Sequence, residues 1–387
     1  MKKKIIVFTG SRADYGLLSL LIKKINHHKN LKLILVAGGN HFSKKYGNTI
    51  NEIKNDKIKI NYSYKFFAKS TSQNEILEYM GSSLSNYHNF LKKTKPDLAI
   101  VLGDRYEAYS FSLSAFLSNI KICHIHGGEV TTGAYDDALR HGITKFSNIH
   151  FACHQKYKDR IIQLGENPKR VFNVGSLGVE QIKKTKLLTK KSVFEKIGLN
   201  SDIIDNFKKI VLVTFHPETL GNDKSKKQID IFINTLKKIK DVYFIVTHNN
   251  ADTYGNYFLK KIRQLKKYEN FKIYPSLGSK IYWSLLKNVD FAVGNSSSGI
   301  IEAPALKTPT INIGNRQNGR IFSKSIFQLK LTEKNLNKKI SKILKIKKFN
   351  FENIFYSKDT SQKILNQIIY YLKKNQKINK KFYDIKK

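Results

Sequence analysis

Short apolar runs that each end abruptly in a polar, glycine-rich loop recur along this chain and limit what it can fold into. In the first half they are KIIVFTG (4–10), LKLILVAGG (31–39), DLAIVLGD (97–104), KICHIHGG (121–128), HFACH (150–154) and VFNVGS (171–176). Such runs are nearly continuous in apolar residues, where a strand with one wet face would alternate. They therefore predict strands buried on both faces of a parallel sheet, which needs helices on either side. Helices are predicted between them over 15–27, 74–94, 107–118, 137–147 and 155–164. After a lysine-rich stretch at 180–199 the pattern restarts. KKIVLVTFHPET, DVYFIVTHNN, FKIYPSL, VDFAVGNSSSG and TPTINIGN read as strands that run into loops, again separated by helical segments. The chain of 387 residues is long enough for two domains. The expected fold is α/β, two doubly wound sheets with a cleft between them. The expected boundaries are 1–180, 181–358 and a C-terminal segment, 359–387, whose amphipathic helix packs back on the first domain.

The loops draw attention because ligands of open parallel sheets sit at the carboxyl ends of the strands. GNSSSGIIEAP (294–304) follows a strand and opens a helix. Ser296, Ser297, Ser298 and Gly299 there offer hydroxyls and backbone N–H donors at the positive end of a helix, which suits a diphosphate. Glu302, one turn on, is placed to accept from ribose hydroxyls. TGSRADYG (9–16) has the same setting, with Arg12 in reach of a phosphate. It lacks the GxGxxG spacing, so no dinucleotide cofactor is expected. HIHGGEVTTGAYDDALRH (124–141) concentrates His126, Glu129, Asp136, Asp137 and Arg140, with Asp104 at the neighbouring strand end. Carboxylates and imidazoles held in one loop system suit proton transfer to and from carbon. The spacing matches neither a zinc site nor a calcium loop, so no metal is expected. FHPET (215–219) puts His216 at a strand end of the second half, and THNNAD contributes Asn250.

Composition narrows the partners. The net charge of +41 on its own suggests a polyanion partner. The lysines are spread along the chain, however, and no RNA-binding signature accompanies them, so they read as a solvated surface with no specific nucleic acid. Only eight of the 70 basic residues are arginines. Five of these, Arg12, Arg105, Arg140, Arg316 and Arg320, lie in glycine- or aspartate-rich loops, which implies a need for planar guanidinium geometry there. No apolar run reaches the ~18 residues that span a bilayer, so no membrane association is expected. The basic start followed by IIVF reads as a first strand, not a signal peptide. Cys123 and Cys153 form no spacing pattern and are expected to be buried thiols of a cytoplasmic protein.

Taken together, TGSRADYGLL, YGNTI, VLGDRYEA, HIHGGE, YDDALRH, ITKFSNIHF, RIIQLGENPKRVFNVGSLG, FHPETL, NSSSGIIEAP, INIGNRQNGR and KFYDI resemble the hydrolysing UDP-N-acetylglucosamine 2-epimerases of bacterial sialic acid biosynthesis. The match runs from residue 9 to 385. The resemblance implies a GT-B fold, two Rossmann-like domains with the active site in the cleft, and a reaction without metal or nicotinamide cofactor. The first domain would bring Arg12, Arg105, Arg140 and the catalytic candidates Asp104, Glu129, Asp136 and His126 to the sugar. The second would hold UDP through Asn250, Ser296–Glu302 and His216, the last also a catalytic candidate. Many relatives carry Glu where this chain has His126, which leaves the base that takes the C2 proton open between Glu129 and His126. The substrate is equally open between UDP-N-acetylglucosamine and a UDP- or GDP-linked N,N′-diacetylbacillosamine, and a GT-B glycosyltransferase would share the nucleotide site. Oligomeric state is not legible in the residues; the resemblance points to a homodimer.

Overall fold

The computed structural model describes residues 2–42, 49–66, 73–132, 135–199, 206–216, 222–248, 255–275, 277–344, 351–374 and 378–385. The chain forms two compact units. The first comprises Met1–Glu129, Asp136–Gln181 and Phe355–Lys387, and the second comprises Val130–Tyr135 and Ile182–Ile354. The short segment 130–135 thus groups with the second unit although both its flanks belong to the first.

The first unit runs β1 (Lys3–Thr9), α1 (Arg12–His27), β2 (Leu31–Ala37), α2 (Ile50–Asn55), β3 (Ile60–Ser63), α3 (Gln73–Thr94), β4 (Leu98–Leu102), α4 (Tyr106–Leu117), β5 (Ile122–Ile125), α5 (Asp136–Phe146), β6 (Ile149–Ala152), α6 (Gln155–Gln163) and β7 (Val171–Asn173). The chain leaves it within α7 (Leu177–Lys184). The second unit runs α8 (Lys190–Lys196), β8 (Lys209–Thr214), α9 (Asn222–Lys237), β9 (Val242–Thr247), α10 (Gly255–Arg263), β10 (Phe271–Tyr274), α11 (Gly278–Asn288), β11 (Phe291–Gly294), α12 (Ser297–Ala305), β12 (Thr310–Ile313), β13 (Ile326–Leu329) and α13 (Glu333–Leu344). Helix α14 (Thr360–Lys373) belongs to the first unit again.

The strand orders are β3-β2-β1-β4-β5-β6-β7 and β10-β9-β8-β11-β12-β13, and every described pairing is parallel. Each unit is therefore a Rossmann-like doubly wound sheet, in which the strand order reverses once. In the first it reverses between β1 and β4, in the second between β8 and β11. Central strands are buried on both faces, as Ile5, Ile6, Val7 and Leu98–Val101 illustrate. Among the described residues no helix is long and apolar enough to cross a membrane. Cys123 and Cys153 are both buried.

The elements that sequence patterning misses are short or mixed. β3 is a four-residue edge strand with exposed positions, β13 is equally brief, and α2 spans six residues. The stretch 180–199, expected to separate the domains, is mostly helical, carrying the end of α7 and all of α8. Its lysines obscure a core contribution, because Ile182, Val193, Phe194, Ile197 and Leu199 pack with Tyr243, Trp283 and Leu285 of the second unit.

Helix α14 packs through Ile364, Leu365, Ile368 and Leu372 into the core that β1, β2 and α1 share. Its first turn is held by Glu180, whose carboxylate accepts from the Ser361 backbone N–H at 2.6 Å and the Ser361 hydroxyl at 2.9 Å. Beyond it, Tyr383 N–H donates to Gly165 O at 2.9 Å, and the Asn148 side chain donates to Ile378 O at 2.7 Å. Lys380 Nζ lies 2.6 Å from Glu166, a buried carboxylate that also meets Lys145 at 2.8 Å and His150 at 3.2 Å.

Burial alone would raise the Glu166 pKa, but the hydrogen bond and charge of His150 and the charges of Lys380 and Lys145 outweigh it and hold the group at about 2. A folded-state pKa below the unfolded value stabilises the fold above the unfolded pKa, and that stability is lost as pH falls toward the folded one. Wild-type Tm is therefore expected to drop between about pH 5 and pH 2, and Glu166→Gln is expected to show a shallower drop over that window. Parallel curves in thermal melts would remove Glu166 from the acid transition.

Candidate active site

In the first unit the loops after β1, β4 and β5 carry the polar groups. Ser11 caps α1 by accepting from Asp14 N–H, while the Asp14 carboxylate accepts from Gly10 N–H at 3.1 Å. This reciprocal pairing fixes the turn from which Arg12 departs as the first helical residue. Burial pushes the Asp14 carboxyl up to about 6, with the nearby Arg105 charge lowering it and Glu107 adding to the rise. Arg105 itself donates through Nε to Glu107 at 3.1 Å and through Nη2 at 3.3 Å. Glu107 is buried at the start of α4.

The densest cluster surrounds Arg140 on α5. Its guanidinium is 1% exposed and pairs with Asp104, with Asp137 at 3.3 Å and with the Glu129 carbonyl at 2.9 Å. Arg140 thus ties the end of β4, the loop after β5 and the first turn of α5 to one another. Asp136, the first residue of that helix, is half-buried. His126 sits at the end of β5 with φ 65°, a left-handed conformation uncommon for a residue with a side chain. Its Nδ1 lies 2.9 Å from Glu129, whose carboxylate also accepts from the Cys153 thiol at 3.4 Å. Its Nε2 is buried and has no hydrogen-bond partner among the described residues. His126, Glu129 and Cys153 place ligand-type atoms within 4.8 Å of one another and are the described group that has the donors for a metal ion.

In the second unit β8 and β11 end side by side at the strand-order reversal. Asn295 joins them: its side chain accepts from His216 N–H at 2.7 Å and donates to His216 O at 2.7 Å. Gln317 and Arg316 donate to the Asn295 carbonyl at 2.8 and 3.1 Å. Helix α12 begins there. Ser296 caps it by accepting from Ser298 N–H, the Ser298 hydroxyl lies 2.6 Å from Tyr282 Oη, and Gly299 is buried against Thr310. Glu302 follows one turn in and is half-buried. A helix start with aligned N–H donors and several hydroxyls is an anion-binding arrangement.

Most residues singled out in the sequence therefore fall into two sets. Asp104, Glu129, His126, Arg140 and Asp136 gather in the first unit, with Arg12 and Arg105 on neighbouring loops. His216, Ser296, Ser297, Ser298, Gly299 and Glu302 gather in the second. Asn250 lies outside the described residues, as do Pro217, Glu218 and Thr219 of FHPET. Arg140 was expected to bind substrate; its buried guanidinium pairs with two aspartates and a backbone carbonyl. Sequence reasoning missed Asp14, Glu107, Cys153, Tyr282 and Asn295. Asn295 and Glu107 adjoin motifs already chosen, whereas Cys153 and Tyr282 sit at positions whose partners are set only by the fold.

Two Rossmann-like units define the GT-B class of fold. A profile of the UDP-N-acetylglucosamine 2-epimerase family matches residues 23–369, and the chain belongs to that family. It is 36% identical to "Polysialic acid biosynthesis protein P7" of Escherichia coli over 389 residues, covering 99% of this chain and 98% of that one. It is 37% identical to the "GDP/UDP-N,N'-diacetylbacillosamine 2-epimerase (hydrolyzing)" of Campylobacter jejuni over 335 residues, covering 86% and 85%. Its fold is similar to the crystal structure of the UDP-GlcNAc 2-epimerase of Methanocaldococcus jannaschii in complex with UDP-GlcNAc and UDP, with a TM-score of 0.77 at 20% identity over 96% of this chain and 100% of the other.

Proposed function

We propose that this protein is a hydrolysing 2-epimerase that converts UDP-N-acetylglucosamine and water into N-acetylmannosamine and UDP, for sialic acid biosynthesis. The observation that carries the reading is one loop system in which Asp104, Asp137 and the Glu129 backbone carbonyl surround a buried guanidinium while the Glu129 carboxylate meets His126. That is more acid–base equipment than nucleotide binding alone requires. The similarity to the polysialic acid protein over nearly the whole chain supports the pathway.

In the proposed reaction the C1–O bond breaks first and its electron pair leaves with UDP. The C2 hydrogen becomes acidic only as positive character builds at C1, and a base of the first unit then takes that proton. The product of this anti elimination is a 2-acetamidoglucal. Water next adds its hydroxyl to C1, and a proton returns to C2 on the opposite face. Arg12, His216 and the Ser296–Gly299 helix start stabilise the departing diphosphate, and Glu302 accepts from the ribose. Arg105 orients the sugar end. Asp104, Asp136 and the His126–Glu129 pair exchange the protons. With Nδ1 turned toward Glu129, His126 keeps Nε2 for proton exchange, so the pair acts as a unit.

A second reading, the same chemistry on a UDP- or GDP-linked N,N′-diacetylbacillosamine, is favoured by the similarity to the C. jejuni enzyme. Incubation in D2O with each nucleotide-sugar separates the readings. Deuterium at C2 of free N-acetylmannosamine, with UDP released, is the expected result. Turnover of the diacetamido substrate alone would select the second reading. Recovery of only UDP-N-acetylmannosamine would assign a non-hydrolysing epimerase, and unchanged nucleotide-sugar in both incubations would overturn the proposal.

A further inference from the structure

KFYDI at the C-terminus belongs to neither cluster, yet the structure docks the segment at the C-terminal end of the helix that carries Asp136, Asp137 and Arg140. Helix α5 ends at Phe146, and the last carbonyls of a helix have no partner inside it. Lys380 Nζ reaches the Ser147 carbonyl at 2.6 Å and the Thr144 carbonyl at 3.4 Å while paired with Glu166 at 2.6 Å. A cation at a helix C-terminus also complements the helix dipole. Lys145, on α5 itself, donates to Leu164 O at 2.9 Å and lies 5.0 Å from the Phe382 ring centroid. Phe382 packs on Gly165, where any added Cβ would fall 2.3 Å from its ring.

The contact continues toward the site. The Thr144 hydroxyl lies 3.1 Å from His124 Nδ1, and His124 Nε2 lies 2.8 Å from the carbonyl of Gly103, the residue before Asp104. Burial lowers the His124 pKa to about 3, so the ring is neutral and Nε2–H donates to Gly103.

We propose that residues 378–385 form a clamp on α5, with Lys380 as a positioning residue that sets Arg140 and Asp136 for catalysis. The proposal rests on the epimerase reading for its catalytic consequence but not for the clamp itself. The groups facing Lys380 are Glu166, His150 on β6, Lys145 on α5 and Arg170 before β7. Burial drives the Lys380 ammonium down to about 8, with Glu166 opposing the shift. Its charge, and with it the full clamp, is therefore lost as pH rises through that value.

The test uses the full chain with Lys380→Met, Lys380→Arg and Phe382→Ala. Readouts are kcat and KM for the nucleotide-sugar, Kd for UDP alone, and hydrogen–deuterium exchange over 136–146. Lys380→Met is expected to lower kcat about tenfold or more with UDP affinity unchanged, and to speed exchange in α5. Lys380→Arg is expected to retain kcat and to move the alkaline limb of the profile to higher pH, because a guanidinium stays charged. Wild-type kcat and exchange in Lys380→Met would overturn the proposal, as would faster exchange with unchanged kcat. Should Lys380→Met fail to fold, Phe382→Ala decides by the same criteria. If the wild-type chain turns over no nucleotide-sugar, the epimerase reading fails while the exchange measurement still decides the clamp.

Discussion

Asp104→Asn is expected to lower kcat by about 100-fold or more while UDP affinity stays near wild type. The substitution keeps the size of the side chain and an oxygen acceptor but removes the charge. Two consequences follow from the geometry. The first is chemical: a neutral amide at the end of β4 cannot exchange protons with the sugar. The second is structural: Arg140 is 1% exposed and loses the charge of one anionic partner, keeping Asp137 at 3.3 Å and the Glu129 carbonyl at 2.9 Å. Removing one partner of a fully buried pair costs about 3–5 kcal/mol. Asp104 is 25% exposed and Asp137 remains, so a smaller loss, about 1–3 kcal/mol, is expected. That loss lowers Tm without unfolding the chain at assay temperature, so kcat for UDP release reports the chemical part. Near-normal turnover with a lowered Tm would make Asp104 a structural partner of Arg140 and remove it from the mechanism.

Gly294→Ala should damage the other half of the chemistry. Gly294 ends β11 with φ 147°, and an added Cβ would fall 1.9 Å from the Thr214 backbone oxygen on β8. No rotation of a side chain relieves a clash with backbone, so the two strand ends must separate. Asn295 N–H donates to that same Thr214 oxygen at 3.2 Å, and the Asn295 side chain holds both backbone groups of His216. Separating the strands therefore displaces His216 and the Ser296 cap together. A destabilisation above about 4 kcal/mol is expected, in the range reserved for backbone strain and overpacking. Affinity for UDP is expected to fall by about 100-fold, since aligned donors and a helix dipole act only over the first turn. Calorimetry with UDP and thermal melts check the two parts. Tight UDP binding by a folded Gly294→Ala chain would show that the start of α12 does not hold the diphosphate.

The fold was readable because buried parallel strands write themselves as apolar runs, and KIIVF, LAIVL and IVLVT leave little alternative. The loops stood out for a related reason: Gly, Ser, Asp and Arg serve poorly in a core, so their clustering marks the strand ends where ligands of open parallel sheets sit. What stayed hidden depended on residues far apart in the chain. Glu180 caps a helix that begins at Thr360, and nothing around EQIKK announces it. Glu166 gathers Lys145, His150 and Lys380 from three separate segments. Arg140 stands out in the sequence as one of few arginines, but its partners Asp104, Asp137 and the Glu129 carbonyl come from three separate segments. Lysine-rich composition also concealed α7 and α8, because a helix needs only one apolar stripe and the remaining positions are free to drift.

The return of α14 to the first unit has a consequence for how the molecule is made. Ile364, Leu365, Ile368 and Leu372 complete the core around β1 and α1, yet some 180 residues of the other unit are translated before them. The sheet made earlier in this chain is thus completed later than the other. Before α14 is made, the nascent chain lacks the residues that cover this part of α1, while the later unit already has its own core residues in hand. Contacts of such sequence separation slow the closing step. The first unit therefore draws its core from both sides of the second in sequence, whereas the core of the second comes mostly from one continuous stretch.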